Sequence, residues 1–222
     1  MEPIELNTNN GTMHIEGFPD AVRVIKLTGE KSKRLSHLSL HKMDLLFAES
    51  YFNAVTYSYE DSGLIQESLW RSAIIFYIKC FGNSKSRGPL SAERIYRNNP
   101  PALKTHKEFK HLRDKHFIHD ENSFSQSHTG AIIASKDKPY KIEKIISTST
   151  EAVTLNNGFY NNLRLLINHT MNWVNIEYEN ICNDLTIELE KESYESLLKY
   201  PEIQIRAPSI DTISQTRADN HS

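Results

Sequence analysis

The fold of this 222-residue chain depends first on residues 64–81, LIQESLWRSAIIFYIKCF. Apolar side chains recur along this stretch at three- and four-residue steps: Ile65, Leu69, Ala73, Phe76 and Cys80. That spacing places them on one face of an α-helix. Three more apolar side chains widen the face, namely Ile74, Ile75 and Tyr77. The stretch therefore predicts a helix that is buried over much of its surface and is capped by Gly82.

The stretches on either side of this helix repeat its spacing. Residues 38–59 precede it, residues 157–191 form a long later pattern, and residues 102–117 follow a proline pair that suits the first turn of a helix. Between the second and third patterns, residues 83–101 are expected to be a loop. Amphipathic helices bury their apolar faces by packing together. We therefore expect a mainly α fold, a four-helix bundle.

Short β elements are expected at two places outside the helices. Residues 130–135 and 140–146 flank a polar Lys-Pro connection, which predicts a β-hairpin at about residues 128–147, inserted between the third and fourth helices. Near the N-terminus, residues 13–15 and 22–25 alternate apolar and polar side chains around a turn. That pattern is typical of two short strands.

On these grounds the chain divides into three regions. Residues 1–37 form an N-terminal extension, residues 38–200 the bundle with its hairpin, and residues 201–222 a polar tail expected to be disordered. Hydrophobic residues make up 38% and charged residues 24% of the chain, which indicates a folded core and excludes a wholly disordered protein. Because the net charge is −2, any contact with nucleic acid would depend on a local cationic patch.

The cysteines and the N-terminal residues indicate the cellular setting. Cys80 and Cys182 stand far apart without a CxxC pair, which argues against a zinc knuckle or a disulfide framework and predicts buried free thiols. The first residues lack the basic and apolar regions of a signal peptide, and no apolar run approaches the ~20 residues that cross a bilayer. We expect a cytoplasmic protein with no membrane partner and no cofactor.

The third predicted helix is locally cationic. Residues 104–119, KTHKEFKHLRDKHFIH, hold four lysines and one arginine against two carboxylates, together with four histidines. Lys107, Lys110 and Lys115 are expected to follow an RNA backbone through electrostatic attraction. The alternative for each lysine is an ordinary solvated position on a helix surface.

The end of this helix carries the residue types that cleave RNA without a metal. Histidine can take a proton from the ribose 2′-hydroxyl or give one to the leaving 5′-oxygen, because its ordinary pKa is about 6.5. Arginine can stabilise charge on the phosphate with its planar fork of donors. Arg113, His116 and His119 are therefore candidate catalytic residues, and Asp114 can orient the arginine or a histidine.

The same residues carry a resemblance to a known family. The run RDKHFIH, residues 113–119, at the end of the third of four predicted helices, resembles the motif of the HEPN superfamily. In that motif a histidine follows an arginine after a short spacer, and Asn, His or Asp often stands directly after the arginine. Arg113, Asp114 and His119 match these places, and the resemblance extends over about residues 38–191.

The resemblance implies a metal-independent endoribonuclease that works as a homodimer. The motifs of the two subunits would face each other, so that His119 of one meets the partner subunit's Arg113. Such proteins often serve as toxins or antiviral effectors under the control of an antitoxin or another regulatory partner. Cleavage would leave a 2′,3′-cyclic phosphate and a 5′-hydroxyl. Glu121 stands where some toxins have a tyrosine that the antitoxin modifies, which puts that mode of control in doubt.

The residues alone leave other interpretations open. Arg113 and Asp114 can form a surface ion pair, with His119 a cation at a helix C-terminus and His116 a residue at the core edge. His116 and His119 also have a spacing that can hold a metal, with Asp120 adjacent, but no third ligand has helical support and we expect no metal. The alternative function is a non-catalytic module that binds RNA, nucleotide or a protein. A structural regulator encoded beside an effector is a third.

Overall fold

The structure is a computed structural model that describes residues 6–9, 12–15, 17–18, 20–55, 63–84, 86–119, 121–203 and 210–214. It is mainly helical, as the sequence predicts, with two-stranded antiparallel sheets. Its elements in chain order are β1 (Leu6–Asn9), β2 (Thr12–Ile15), α1 (Glu30–Ala54), α2 (Leu64–Lys79), α3 (Ala92–Ile95), α4 (Pro100–Leu112), a π-helical segment (Arg113–Ile118), β3 (Ser125–Ile133), β4 (Ile142–Glu151), α5 (Asn157–Leu189), α6 (Tyr194–Leu197) and a 3₁₀ turn (Ile210–Thr212). The chain divides into two compact units, residues 1–37 with 177–222, and residues 38–176.

Helix α2 supplies much of the core of the unit 38–176. Its buried side chains are Trp70, Ala73, Ile74, Tyr77 and Ile78. The predicted face is wrong at the start of the helix, where Ile65 is 72% exposed. The buried face is turned toward Trp70, because its ring packs edge-on against Phe109 of α4 with 6.0 Å between the centroids.

Helix α1 differs from its prediction in both its start and its buried face. It begins at Glu30, not near residue 38, because Gly29 takes a positive φ of 94° and its carbonyl accepts a hydrogen bond from the amide of Lys33. The helix buries Leu38, His41, Leu45, Ala48 and Phe52. Three other apolar residues that fit a helical spacing in the sequence, Met43, Leu46 and Phe47, are about half exposed. The helix ends at Ala54, and the predicted continuation over residues 56–59 lies outside the described residues.

The stretch predicted as a loop at residues 83–101 contains the short helix α3 and the start of α4. The hydroxyl of Ser91 accepts a hydrogen bond from the amide of Arg94, and the side-chain oxygen of Asn99 accepts one from the amide of Ala102. These are N-terminal caps, and the proline pair occupies the first turn of α4 as predicted. The apolar spacing of the sequence does not predict α3, because a helix of four residues is too short to show a periodicity.

Strands β3 and β4 form a hairpin between the π-helical segment and α5, longer than the one predicted. They pair antiparallel from Ser125 opposite Glu151 to Ile133 opposite Ile142. The residues by which the strands exceed the prediction are mostly serine and threonine, and they lie on both faces of the hairpin. Their sequence therefore lacks the alternation of apolar and polar residues that predicts a strand. Every residue of β4 is exposed. Two-stranded sheets gain their stability from cross-strand contacts, and here the serine hydroxyls of residues 127 and 147 lie 3.3 Å apart.

In the unit formed by residues 1–37 and 177–222, β2 pairs with β1. The predicted pairing of residues 13–15 with 22–25 is wrong, since Ile25 instead forms an isolated bridge with Glu202. In the sequence, the Asn-Gly pair at residues 10–11 is a pattern typical of a two-residue hairpin turn. Of the predicted tail 201–222, the structure describes 201–203 and 210–214, and the remainder lies outside the described residues.

Candidate functional site

The candidate site lies at the C-terminal end of α4, where the α-helix continues as a π-helical segment. Asn99 caps the first turn, Phe109 and Leu112 anchor α4 in the core, and from Arg113 to Ile118 the backbone is π-helical. Such segments are uncommon and occur frequently at functional sites. The amide of Glu121 then donates to the carbonyl of Lys115 at 3.0 Å, so the chain folds back over the end of the helix.

Arg113 and Asp114 form a half-buried ion pair at the first turn of this segment. The Nε atom of Arg113 lies 2.9 Å from Oδ1 of Asp114, and the two side chains are 27% and 35% exposed. The geometry is not that of a hydrogen bond, since Nε has no hydrogen-bond acceptor. In the described part of the chain no other side chain engages the guanidinium group. Its terminal amino groups therefore remain available to an anion.

His119 is the first residue after the π-helical segment. Its φ of −133° and ψ of 139° are those of extended backbone, and its side chain is exposed. Among the described residues no hydrogen bond or ion pair joins His119 to Arg113 or Asp114. The structure thus places the candidate arginine and histidine at the same helix end but does not bring them into contact within one chain.

His116 lies inside the protein, not in the solvent-facing group. Only 4% of its surface is exposed, and neither ring nitrogen has a hydrogen-bond partner among the described residues. Its ring packs against the rings of Phe117 and Phe124, with centroids 5.4 and 5.3 Å away. A buried nitrogen without a partner costs about 1–3 kcal/mol. His116 is therefore enclosed beside aromatic side chains and is not accessible to a ligand in this conformation.

The predicted RNA-binding lysines lie on the surface of α4 and its continuation. Lys107 and Lys110 are exposed. Lys115 is also exposed, and its ammonium group lies 3.5 Å from a carboxylate oxygen of Glu121. Such an exposed pair exchanges readily with other anions, because surface ion pairs contribute only ~0–1 kcal/mol.

Arg71 on α2 ties the π-helical segment to its neighbours. Its guanidinium donates to Glu67 at 3.1 Å and to Glu151 at the end of β4 at 2.6 Å, and it lies 5.0 Å from the ring centroid of Phe117. The hydrogen bond from Arg71 holds the pKa of Glu151 below its ordinary value. The four-residue spacing from Glu67 was a usable sign of an ion pair.

The Arg71 contacts continue into the core. Glu67 also accepts a hydrogen bond from the hydroxyl of Thr154, which in turn accepts one from the indole of Trp70; both are 3.1 Å long. These bonds join α2 to the connection between β4 and α5. Because Glu67 also binds Arg71, which contacts Phe117, these bonds support the π-helical segment. No local pattern in the sequence indicates them, because residues 67 and 154 are far apart in the chain.

A second buried polar group lies beside α4. The hydroxyl of Tyr77 is 2.9 Å from Nδ1 of His106 and 2.8 Å from the hydroxyl of Tyr96, which is 2.6 Å from the hydroxyl of Thr170. Burial, reinforced by nearby Lys110, lowers the pKa of His106 to about 4. His106 is therefore neutral at pH 7 and belongs to the core, although the sequence analysis counted it among the cationic residues of the helix.

Metal-ligating side chains and thiols are the remaining chemistry-bearing groups of the chain. In the described ranges no group of three or more His, Cys, Asp and Glu side chains could hold a metal ion, and Asp120 lies outside those ranges. Both cysteines are free; Cys80 is buried, as predicted, whereas Cys182 is only partly buried. Burial raises the pKa of the Cys80 thiol to about 12. Among the described helices, none is long and apolar enough to span a membrane.

Comparison with known proteins assigns the chain to no family. No protein-family model matches the chain, and neither the curated proteins nor the solved structures contain a match.

Proposed function

We propose that the chain is a metal-independent endoribonuclease with a four-helix bundle of HEPN type, acting as a homodimer in the cytoplasm. The observation that carries the proposal is the end of α4. There a half-buried Arg113–Asp114 pair opens a π-helical segment, and an exposed His119 directly follows it. Asp114 orients the guanidinium group of Arg113 and leaves its terminal amino groups available to a phosphate. His119 is the first residue after the helical segment.

The proposed reaction is transesterification at an RNA phosphodiester. His119 takes the proton of the 2′-hydroxyl, and the 2′-oxygen attacks phosphorus. Arg113 stabilises the negative charge that develops on the non-bridging oxygens. The bond from phosphorus to the 5′-oxygen breaks, and that oxygen takes a proton from solvent, to which His119 afterwards releases its own. The products are a 2′,3′-cyclic phosphate and a 5′-hydroxyl.

In each site the histidine is proposed to be His119 of the partner of the subunit that supplies Arg113. His116 is the nearer candidate in sequence, but its ring is buried against phenylalanines and has no path to solvent in this conformation. A composite site also removes the need for Arg113 and His119 of one chain to touch. Lys107, Lys110 and Lys115 would hold the flanking phosphates, each by screened attraction and not by a buried contact.

The proposal is tested with purified protein and a fluorescently labelled single-stranded RNA. His119→Ala is expected to lower the cleavage rate at least ~100-fold, the usual contribution of a general acid or base. The matched control is His128→Ala, since His128 is an exposed histidine on β3 whose ring, among the described residues, lies within hydrogen-bond distance of Gln126 alone. Cleavage is expected to survive EDTA.

Two outcomes would reject the proposal. Equal rates for His119→Ala and the parent would remove His119 from the chemistry, and loss of cleavage on chelation would assign it to a metal. Binding of RNA without any cleavage product would favour the non-catalytic module. Toxicity on expression, relieved by changing Arg113 or His119, would indicate a toxin or defence effector under the control of an antitoxin or other partner.

A further inference from the structure

The hairpin formed by β3 and β4 changes in polarity along its length. Its inner half, where both strands join the rest of the unit 38–176, consists of polar residues alone, at 125–129 and 147–151. Its outer half, residues 130–146, carries large apolar side chains that are 37–77% exposed: Ile132, Ile133, Tyr140, Ile142, Ile145 and Ile146. Large exposed apolar patches on a protein surface mark interaction sites. The outer half is therefore a candidate interaction surface.

The apolar side chains of the outer half lie on both faces of the hairpin. Neighbouring residues of a strand point to opposite faces of a sheet. Ile145 shares a face with Ala131, whereas Ile146 and Ile132 lie on the other face. A sheet that packs on a protein is apolar on the covered face and polar on the other. Here the polarity changes along the hairpin and not between its faces, which suits an end that is surrounded by an apolar phase.

Lysines accompany the apolar side chains of the outer half. It holds four lysines against two carboxylates, a net charge of +2. The ammonium group of Lys138 lies 3.5 Å from a carboxylate oxygen of Glu143. The other lysines are exposed and form no ion pair or hydrogen bond among the described residues: Lys136, Lys141 and Lys144. Lysines close to an anionic lipid surface are attracted to its headgroups. The charge of the outer half is therefore complementary to such a surface.

Tyr140 stands beside the turn and combines an apolar ring with a polar end. Its hydroxyl donates to Glu143 at 3.0 Å and accepts a hydrogen bond from Lys138 at 3.1 Å. The same ammonium group lies 5.4 Å from the centroid of the tyrosine ring. Tyrosine is enriched where membrane meets water, because its ring favours the apolar side and its hydroxyl the wet side. Tyr140 therefore fits the boundary between acyl chains and headgroups.

The backbone of the hairpin limits how deeply its end can enter a lipid layer. Each strand of this two-stranded sheet has one neighbour, so one edge of each strand leaves amides and carbonyls unpaired. Open sheet edges do not occur in hydrocarbon, whereas interfacial segments are buried by ~5–10 Å at the boundary of headgroups and acyl chains. The turn pairs its own backbone, since Ala134 donates to the carbonyl of Lys141 at 2.8 Å. Residues 130–133 extend over about 13 Å, which is comparable with the interfacial depth.

Two other occupants account for fewer of these features. An RNA strand would contact the lysines but would leave six large apolar side chains in water. A second copy of the hairpin would cover one face and leave the isoleucines of the other face exposed. A lipid surface with anionic headgroups accounts for the lysines and for the isoleucines on both faces.

We propose that the outer half of the hairpin inserts into the surface of an anionic membrane, with its isoleucines among the acyl chains and its lysines among the headgroups. This inference goes beyond the proposed ribonuclease activity, because none of the residues assigned to RNA cleavage lies in the outer half. The expectation of no membrane partner depended on apolar runs long enough to cross a bilayer. It does not apply to a hairpin that enters only the surface.

The test measures sedimentation of the full-length chain with lipid vesicles. Vesicles of equal parts phosphatidylglycerol and phosphatidylcholine are expected to bind the chain at least roughly tenfold more tightly than vesicles of phosphatidylcholine alone, because the anionic headgroups attract each unpaired lysine. Tyr140→Trp supplies a probe of location. Its added fluorescence is expected to be quenched by brominated acyl chains, and the parent chain, with Trp70 and Trp173, gives the background.

Variants connect vesicle binding to the two faces of the hairpin. Ile132→Ser and Ile145→Ser, on opposite faces, are each expected to weaken binding roughly tenfold, because each removes an isoleucine from the apolar phase. Ile187→Ser is the matched control, since Ile187 of α5 is 58% exposed and Ile145 is 62% exposed. Lys141→Gln is expected to weaken binding to the anionic vesicles roughly fivefold. Circular dichroism of each variant verifies the fold.

Three results would overturn the proposal. They are no binding to the anionic vesicles, equal binding to both vesicle compositions, and unchanged binding in both isoleucine variants. A loss confined to one isoleucine variant would mean that a single face is covered, as by a protein partner, and would also reject insertion. The outcome is independent of RNA cleavage, since His119→Ala is expected to bind vesicles as the parent does. Failure of one proposal therefore leaves the other intact.

Discussion

At the scale of single residues, His106 shows how far burial changes the chemistry of a side chain. It stands in the run of residues that makes the third predicted helix cationic, yet only 3% of its surface is exposed. Its Nδ1 atom lies 2.9 Å from the hydroxyl of Tyr77. Burial, with nearby Lys110 and Lys107, lowers the pKa of His106 to about 4, although Glu93 opposes this shift. Charging this histidine must therefore destabilise the fold.

We expect the free energy of unfolding to fall as the pH is lowered from about 6.5 to about 4. The unfolded chain binds a proton near the ordinary pKa of histidine, whereas folded His106 binds it only near pH 4. The contribution is fully present above pH ~6.5 and is lost by pH ~4, and its size is roughly 3 kcal/mol. Urea denaturation across this range would measure it. His106→Gln should flatten the dependence and His128→Gln, at an exposed position, should not; equal slopes in all three proteins would contradict the assignment.

At the scale of elements, Asp44 joins α1 to α2 and to the connection that follows α2. Its carboxylate receives Lys79 at 2.8 Å and Arg87 at 2.7 Å. The side chains of Asp44 and Arg87 are 7% and 12% exposed, while that of Lys79 is 54% exposed. The ion pair with Arg87 therefore contributes more to stability than the ion pair with Lys79, because solvent screens the charge of the lysine and not that of the arginine.

We expect Asp44→Ala to lower the free energy of unfolding by about 3 kcal/mol, since it leaves Arg87 buried without its carboxylate. Lys79→Ala, which removes the exposed partner of the same carboxylate, should cost less than about 1 kcal/mol. Chemical denaturation of both variants measures the difference. Similar losses in the two would mean that burial does not set the strength of this ion pair.

The passage from α4 into the π-helical segment is another property of elements. Hydrophobic spacing predicts a helix over residues 102–117 but contains no sign of the change in winding at Arg113. Arg71 of α2 contacts the ring of Phe117 in this segment. The same guanidinium group also donates a hydrogen bond to Glu151 at the end of the hairpin. The change depends on side chains from three parts of the chain, so local sequence could not have predicted it.

At the scale of the whole molecule, the separation of Arg113 from His119 bears on the oligomeric state. The two side chains belong to one helix end but make no mutual contact among the described residues. If the proposed composite site is correct, each complete site takes its arginine from one subunit and its histidine from the other. Two chains with different defects can then complement each other, because a symmetric dimer has two equivalent sites.

We expect a mixture of Arg113→Ala and His119→Ala proteins to recover RNA cleavage after joint refolding. Half of randomly formed dimers would be mixed, and each mixed dimer would hold one intact site and one doubly defective site. The recovered rate is therefore about a quarter of the parental rate. Each variant alone should remain inactive, and light scattering should give a mass twice the 25.6 kDa of one chain. No recovery in verified mixed dimers would place the site within a single subunit.

The sequence by itself determined the number and order of the long helices, the place of the hairpin and the helix that carries Arg113 and His119. These features depend on apolar spacing and on proline and glycine positions, which act locally. Only the tertiary structure decided which face of α1 and α2 is buried, that His116 is enclosed, and that Arg71 joins α2 to the hairpin. These depend on residues brought together from distant parts of the chain, and their packing energy has no counterpart in local sequence.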